Sequence, residues 1–115
     1  MYVIILTYLF LKHWFVDFVI QTPYQWKNKG TYGHPGGLLH SGLQVLFTIP
    51  LCLFLGSWWL LLVEFLTHYH MDWFKMWYSK KMLYTPKDYK FWVWTGTDQL
   101  IHYMVYLIMT LVWVI

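Results

Sequence analysis

Apolar residues fill four long stretches, about residues 2–20, 37–55, 57–78 and 91–115, and polar residues interrupt each of them at four-residue intervals. A period near four is the signature of one helix face, and roughly 20 helical residues, each rising about 1.5 Å, span a hydrocarbon core. The pattern predicts an all-α fold, an integral membrane four-helix up-down bundle forming a single transmembrane domain over residues 1–115. Pro50 falls inside the second stretch, where it removes a backbone donor and predicts a bend. The first stretch lacks a basic leader and a small-residue cleavage site before "QTPYQWKNKG", so it reads as a retained helix.

Loop charge orients the elements. Lys27 and Lys29 lie between the first two stretches, and Lys80, Lys81, Lys87 and Lys90 between the last two, whereas the turn at Gly56 carries no charge. The positive-inside rule therefore places both long loops in the cytoplasm. Aromatic residues cluster at both expected interfaces, with Tyr2, Trp58, Trp59 and Trp113 at one and Tyr24, Trp26, Trp77, Tyr78, Tyr84, Tyr89 and Trp92 at the other. Composition agrees with a membrane protein: of 115 residues, 59% are hydrophobic and only 11% charged. The net charge of +3 comes from eight basic residues, all lysine, and fits membrane orientation rather than nucleic-acid binding. Membrane lipid is the expected partner, and the small size favours homo-oligomers.

The polar faces carry the chemistry. His13, Asp17 and Gln21 share a face of the first helix, His40 and Gln44 of the second, Glu64, His68 and Asp72 of the third, and Thr95, Asp98 and His102 of the fourth. Counted from the lysine-bearing ends, these groups lie roughly 6 to 18 Å deep, with Glu64 at about 24 Å. Ionisable residues facing lipid at the bilayer centre cost about 2.5 to 3.5 kcal/mol each, so they are expected to face one another in a chamber with a dry floor. Cys52 is the single cysteine, which leaves imidazole and carboxylate as ligands. These suit a divalent metal, zinc first and manganese or iron next. The expected ligands are His13, Asp17, His40, His68, Asp72, Asp98 and His102, with Gln21, Lys75 and Gln99 as supporting or substrate-contacting groups and Glu64 as a general base. A proton or ion pathway is the competing use of such residues, and simple interhelical adhesion the least demanding one. Lys12 and Lys75 read as snorkelling lysines, His70 points away from His68, and His34 belongs to a surface loop.

"HWFVDFVIQT", "LLHSGL", "HYHMDWFK" and "TDQLIHY" together resemble domain-of-unknown-function family 3307, small bacterial and phage membrane proteins. The resemblance marks His13, Asp17, Phe18, Gln21, His40, His68, Asp72, Lys75, Asp98, Gln99 and His102, implies a bacterial inner-membrane location, and implies no established reaction. The helical His/Asp motifs are also distantly similar to inner-membrane metal-dependent hydrolases and to the helical zinc phospholipase C and P1-nuclease group. That similarity implies hydrolysis of a phosphoester or another membrane-associated substrate. The N-terminal Trp ligand and the longer ligand series of the soluble enzymes are missing, which argues against a trinuclear site. The alternative is a non-enzymatic small ion or proton pathway, or a phage-encoded membrane-modifying factor.

Overall fold

The computed structural model covers residues 1–115 and is helical throughout, without strands. Helix α1 (Tyr2–Trp14) runs into a π-helical segment (Phe15–Val19). A short α2 (Pro23–Asn28) follows, then α3 (Pro35–Leu46), α4 (Ile49–Leu55), α5 (Leu60–Lys81) and α6 (Tyr89–Val114). Proline stands in the first turn of α2, α3 and α4, where its missing N–H has no helical acceptor to lose. The stretch expected to be a loop thus contains α2, and Pro23 was the signal for it.

The second long stretch is broken rather than bent. At Thr48, Leu51 N–H turns to Thr48 O (3.0 Å), so Phe47 O is left for the Tyr8 hydroxyl, which donates to it at 2.6 Å. Pro50 does not kink a continuous helix; the chain restarts one residue before it, because proline is best accommodated in a first turn.

Residue pairs define how the elements pack. Between α1 and α6, Ile5 joins Met109 in one core, Phe10 packs against Tyr106 and His13 against His102. Between α5 and α6, Leu60 shares that core with Met109, His68 stacks on His102, and Phe74 meets Trp94. Partner numbers fall as the residue's own number rises, so both pairs are antiparallel. Helix α3 packs on α5 and on the π segment, which closes the ring of helices.

The ring is inverted relative to a water-soluble domain. Of 26 buried residues, sixteen are polar or charged and eight are hydrophobic, whereas large apolar side chains such as Val3, Ile4, Leu53, Phe54 and Phe18 stand outward. Three helical stretches are long and apolar enough to cross a membrane: Tyr2–Val19, Pro35–Leu55 and Tyr89–Val114. The third stretch of the sequence, now α5, is not one of them, because Glu64, Asp72 and Lys75 crowd its middle. Of the four stretches expected to span a membrane, three are long and apolar enough, and α5, with the polar stripe expected of it, is not.

Two glycines set the approach of α3 to α2. A Cβ on Gly36 would stand 2.5 Å from Tyr24 O, and one on Gly37 would stand 3.0 Å from Lys29 Cα. This close seating brings α2 side chains against His40, one turn further along α3.

Candidate metal centre

Five residues from four elements converge. Asp17 comes from the π segment, His40 from α3, His68 and Asp72 from α5, and His102 from α6, all buried. They form two overlapping groups, Asp17–His40–His68 and His68–Asp72–His102, and in each group the ligand atoms lie within 4.8 Å of one another. His40 Nε2 is 2.9 Å from Asp17 Oδ1 and 3.4 Å from Asp72 Oδ2. His68 Nε2 is 3.0 Å from Asp72 Oδ2 and 3.9 Å from Asp17 Oδ1. His102 Nε2 is 3.0 Å from Asp72 Oδ1 and 2.9 Å from Asp98 Oδ1. Donor atoms that each stand about 2.0–2.2 Å from one shared zinc ion are themselves about 3 Å apart, so this spacing is compatible with a metal, as it is with the direct hydrogen bond between His102 Nε2 and Asp72 Oδ1.

Local structure positions these atoms. In the π segment, Ile20 N–H reaches back five residues to Phe15 O (3.0 Å), and the wider turn frees Asp17 O, which accepts from Gln21 Nε2 at 2.6 Å. Single π turns of this kind often mark functional sites. On α5, the four-residue interval between His68 and Asp72 puts both on one face.

The proton positions follow from the neighbours. An amide oxygen only accepts, so Gln25 Oε1 takes the proton of His40 Nδ1 at 3.3 Å, and in the neutral imidazole the lone pair is then on Nε2. That lone pair faces two carboxylates, and the structure gives His40 Nε2 no hydrogen-bond partner. His68 Nδ1, His68 Nε2 and Asp98 Oδ1 are also buried without one. Lone pairs facing lone pairs repel unless a proton or a metal ion stands between them. The donor set of imidazole and carboxylate is one that holds zinc, manganese or iron.

Charge counting agrees. Lys12 pairs with Glu64, Lys75 with Asp98 at 2.9 Å, and Lys29 approaches Asp72 at 3.5 Å. Asp17 has no lysine; its neighbours are His13, His40 and His68. Four buried carboxylates therefore face three ammonium groups, and the remaining negative charge is one that either a metal ion or a protonated imidazole balances.

His13 and Asp98 stand beside the two groups. His13 donates from Nε2 to Gln99 Oε1 (2.8 Å) and accepts at Nδ1 from the Tyr106 hydroxyl (2.8 Å), with Asp17 Oδ2 at 3.2 Å from Nε2. Asp98 reaches the centre through His102, and accepts from Lys75 and from Gln99 Nε2 at 3.2 Å. Glu64 lies behind the centre in its ion pair with Lys12; Lys12 also donates to Gln44 Oε1 (2.8 Å), whose Nε2 donates to Asp17 Oδ1 (2.8 Å). The Gln21 side chain hydrogen-bonds to the backbone of Asp17 and not to its carboxylate.

Lys12 is corrected outright. It does not snorkel: it is 4% exposed and ion-paired, with about 12 Å of helix separating it from Ile20. Lys75 likewise turns inward to Asp98. His70 is exposed and donates from Nδ1 to Leu66 O (2.7 Å), while His34 caps α3 by accepting from Gly36 N–H (3.0 Å). Sequence reasoning missed Gln25, Lys29 and Tyr106. Gln25 and Lys29 belong to the short α2 region, and nothing in the spacing of Tyr106 separates it from the other aromatic residues of α6.

The fold and site define a helical protein with an apolar exterior and a buried carboxylate–imidazole centre. The chain belongs to the family described as "Protein of unknown function (DUF3307)", whose model matches residues 5–115. No curated protein and no solved structure matches it.

Proposed function

We propose that the chain is an integral membrane four-helix bundle that binds a divalent transition-metal ion, zinc first, between Asp17, His40, His68, Asp72 and His102. The apolar exterior and a long dimension of 43 Å support the membrane reading, since a bilayer with its headgroups is about 40–45 Å thick. The lysine-rich loop end then faces the cytoplasm. His13, Gln25, Gln44, Gln99 and Asp98 orient the ligands, the usual task of groups one layer out from a metal. When bound, such an ion polarises a phosphoryl or carbonyl oxygen and lowers the pKa of water, which suits hydrolysis of a phosphoester. Asp98 and Lys75, at the edge of the centre, are the groups placed to hold and transfer a proton beside it.

The observation that carries the reading is His40 Nε2, buried between the carboxylates of Asp17 (2.9 Å) and Asp72 (3.4 Å) with its Nδ1 turned to Gln25. Elemental analysis of detergent-purified protein tests it. About one or two equivalents of zinc, manganese or iron are expected, falling by at least about tenfold in His68→Ala and Asp72→Ala. An unmutated protein without stoichiometric metal after reconstitution with each ion sinks the proposal. In that case, Asp72-dependent proton flux in proteoliposomes would support the ion-pathway reading instead.

A further inference from the structure

A cavity of about 300 Å³ opens at the lysine-bearing end, away from the metal-ligand groups, lined among others by Trp26, Lys27, Thr31, Ser79, Lys80 and Tyr84. Its lining contains no carboxylate. Lys27 and Lys80 are exposed and make no ion pair, in contrast to the three lysines of the interior, all of which face an acid. Lys27 Nζ lies 5.6 Å above the Trp26 ring, so its cation is held at the rim beside an aromatic wall. Thr31 and Ser79 bring hydroxyl donors, and Trp26, Tyr84 and Phe91 bring apolar faces. Two unpaired cations, neutral donors and aromatic walls around one cavity make a receptor for a compact anion attached to an apolar body.

We infer that this cavity binds a phosphate monoester, with Lys27 and Lys80 on the phosphate oxygens and the aromatic walls on the attached group. Phosphate is favoured over a carboxylate because it carries more charge and offers more acceptor oxygens to two separate ammonium groups and two hydroxyls. The site does not depend on the metal proposal. Its walls nevertheless lead to the centre: Ser79 lies two turns beyond Asp72 on α5, about 10 Å along the axis, and Gly30 follows Lys29, whose ammonium approaches Asp72.

Titration calorimetry on the detergent-purified full chain tests this with dodecyl phosphate, glycerol phosphate and dodecanol. Binding of at least one phosphate probe is expected, weakened at least about tenfold in Lys27→Gln/Lys80→Gln and retained in Lys27→Arg/Lys80→Arg. The pair Lys87→Gln/Lys90→Gln, outside the lining, should bind as the unmutated chain does. Tighter binding of dodecyl phosphate than of glycerol phosphate identifies a membrane lipid as the source, and equal binding identifies a soluble phosphate ester. Binding of dodecanol as tight as that of dodecyl phosphate, binding insensitive to Lys27 and Lys80, or no phosphate binding overturns the inference. Metal content of the variants, measured in parallel, keeps this result separate from the fate of the metal centre.

Discussion

The two ends of the helix ring are built on opposite principles. Toward Gly56, the core is Ile5, Leu9, Leu60, Met109 and the ring of Tyr106, apolar groups in contact, with the Tyr106 hydroxyl reaching back to His13. Toward the loops, the interior is charged, with Asp17, Asp72 and Asp98 set among imidazoles and lysines. Lys12, Gln44 and Glu64 form the seam between the two regions. Helix packing alone needs only the first kind of interior, and in a membrane it is achieved with van der Waals contact and small residues. The second kind costs desolvation at every charge, so its presence points to a task beyond holding helices together.

The seam offers the largest test of that contrast. Lys12→Met strands the buried Glu64 carboxylate, and a broken buried pair costs about 3–5 kcal/mol. Thermal or denaturant unfolding in detergent should show this loss. The double change Lys12→Met/Glu64→Leu removes both charges and should recover most of it, because an apolar pair of similar volume is commonly as stable as the ion pair. A double variant as unstable as the single one would show that the pair does more than neutralise itself, and would weaken the division drawn between the two ends.

Next in size is a cavity at the dry end. Leu9 is fully buried, and Leu9→Ala should cost about 1–3 kcal/mol, since the lost packing remains while the water-transfer term shrinks in a bilayer. Metal content should stay unchanged. Loss of metal in this variant would mean that the two regions are one cooperative unit.

These regions were unequally legible in the sequence. The four-residue recurrence of His and Asp placed Asp17, His40, His68, Asp72 and His102 on inward faces because helical periodicity alone decides the direction of a side chain. It did not separate the residues of the two candidate metal groups from those beside them. His13 and Asp98 have the same spacing as the others, and only their partners, Gln99 and Tyr106 for one and Lys75 for the other, set them apart. Lys12 was misread because a lone lysine in an apolar helix looks the same whether it reaches for water or for Glu64, 52 residues away. The contribution of α2 was hidden for a related reason: a six-residue helix has too few positions to show a period, and its Gln25 matters only through the close seating of α3.

Gln25 supplies a finer test of the charged end. Gln25→Ala removes the acceptor for His40 Nδ1–H and releases the imidazole to its other tautomer, while every residue of the two metal-ligand groups stays in place. Metal affinity should fall by about 10–100-fold, measured by competition with a chelator, with little change in the melting temperature. Gln25→Glu keeps an acceptor at that position and should retain more affinity than alanine. Equal affinity in all three would remove Gln25 from the centre.

The smallest effect belongs again to the opposite end. Trp113 Nε1–H donates to Gly56 O at 2.9 Å, tying the last turn of α6 to the tight turn between α4 and α5. Gly56 holds φ of +75°, and Ser57 after it holds +52°, so this turn is already in conformations that few side chains favour. Trp113→Phe removes the donor but keeps an aromatic side chain, and one hydrogen bond contributes about 0.5–1.5 kcal/mol. A loss of that size in unfolding experiments, with metal content and phosphate binding intact, would place the turn's anchoring in the dry region alone. A drop in metal content would instead show that strain at Gly56 is felt along α5 as far as His68.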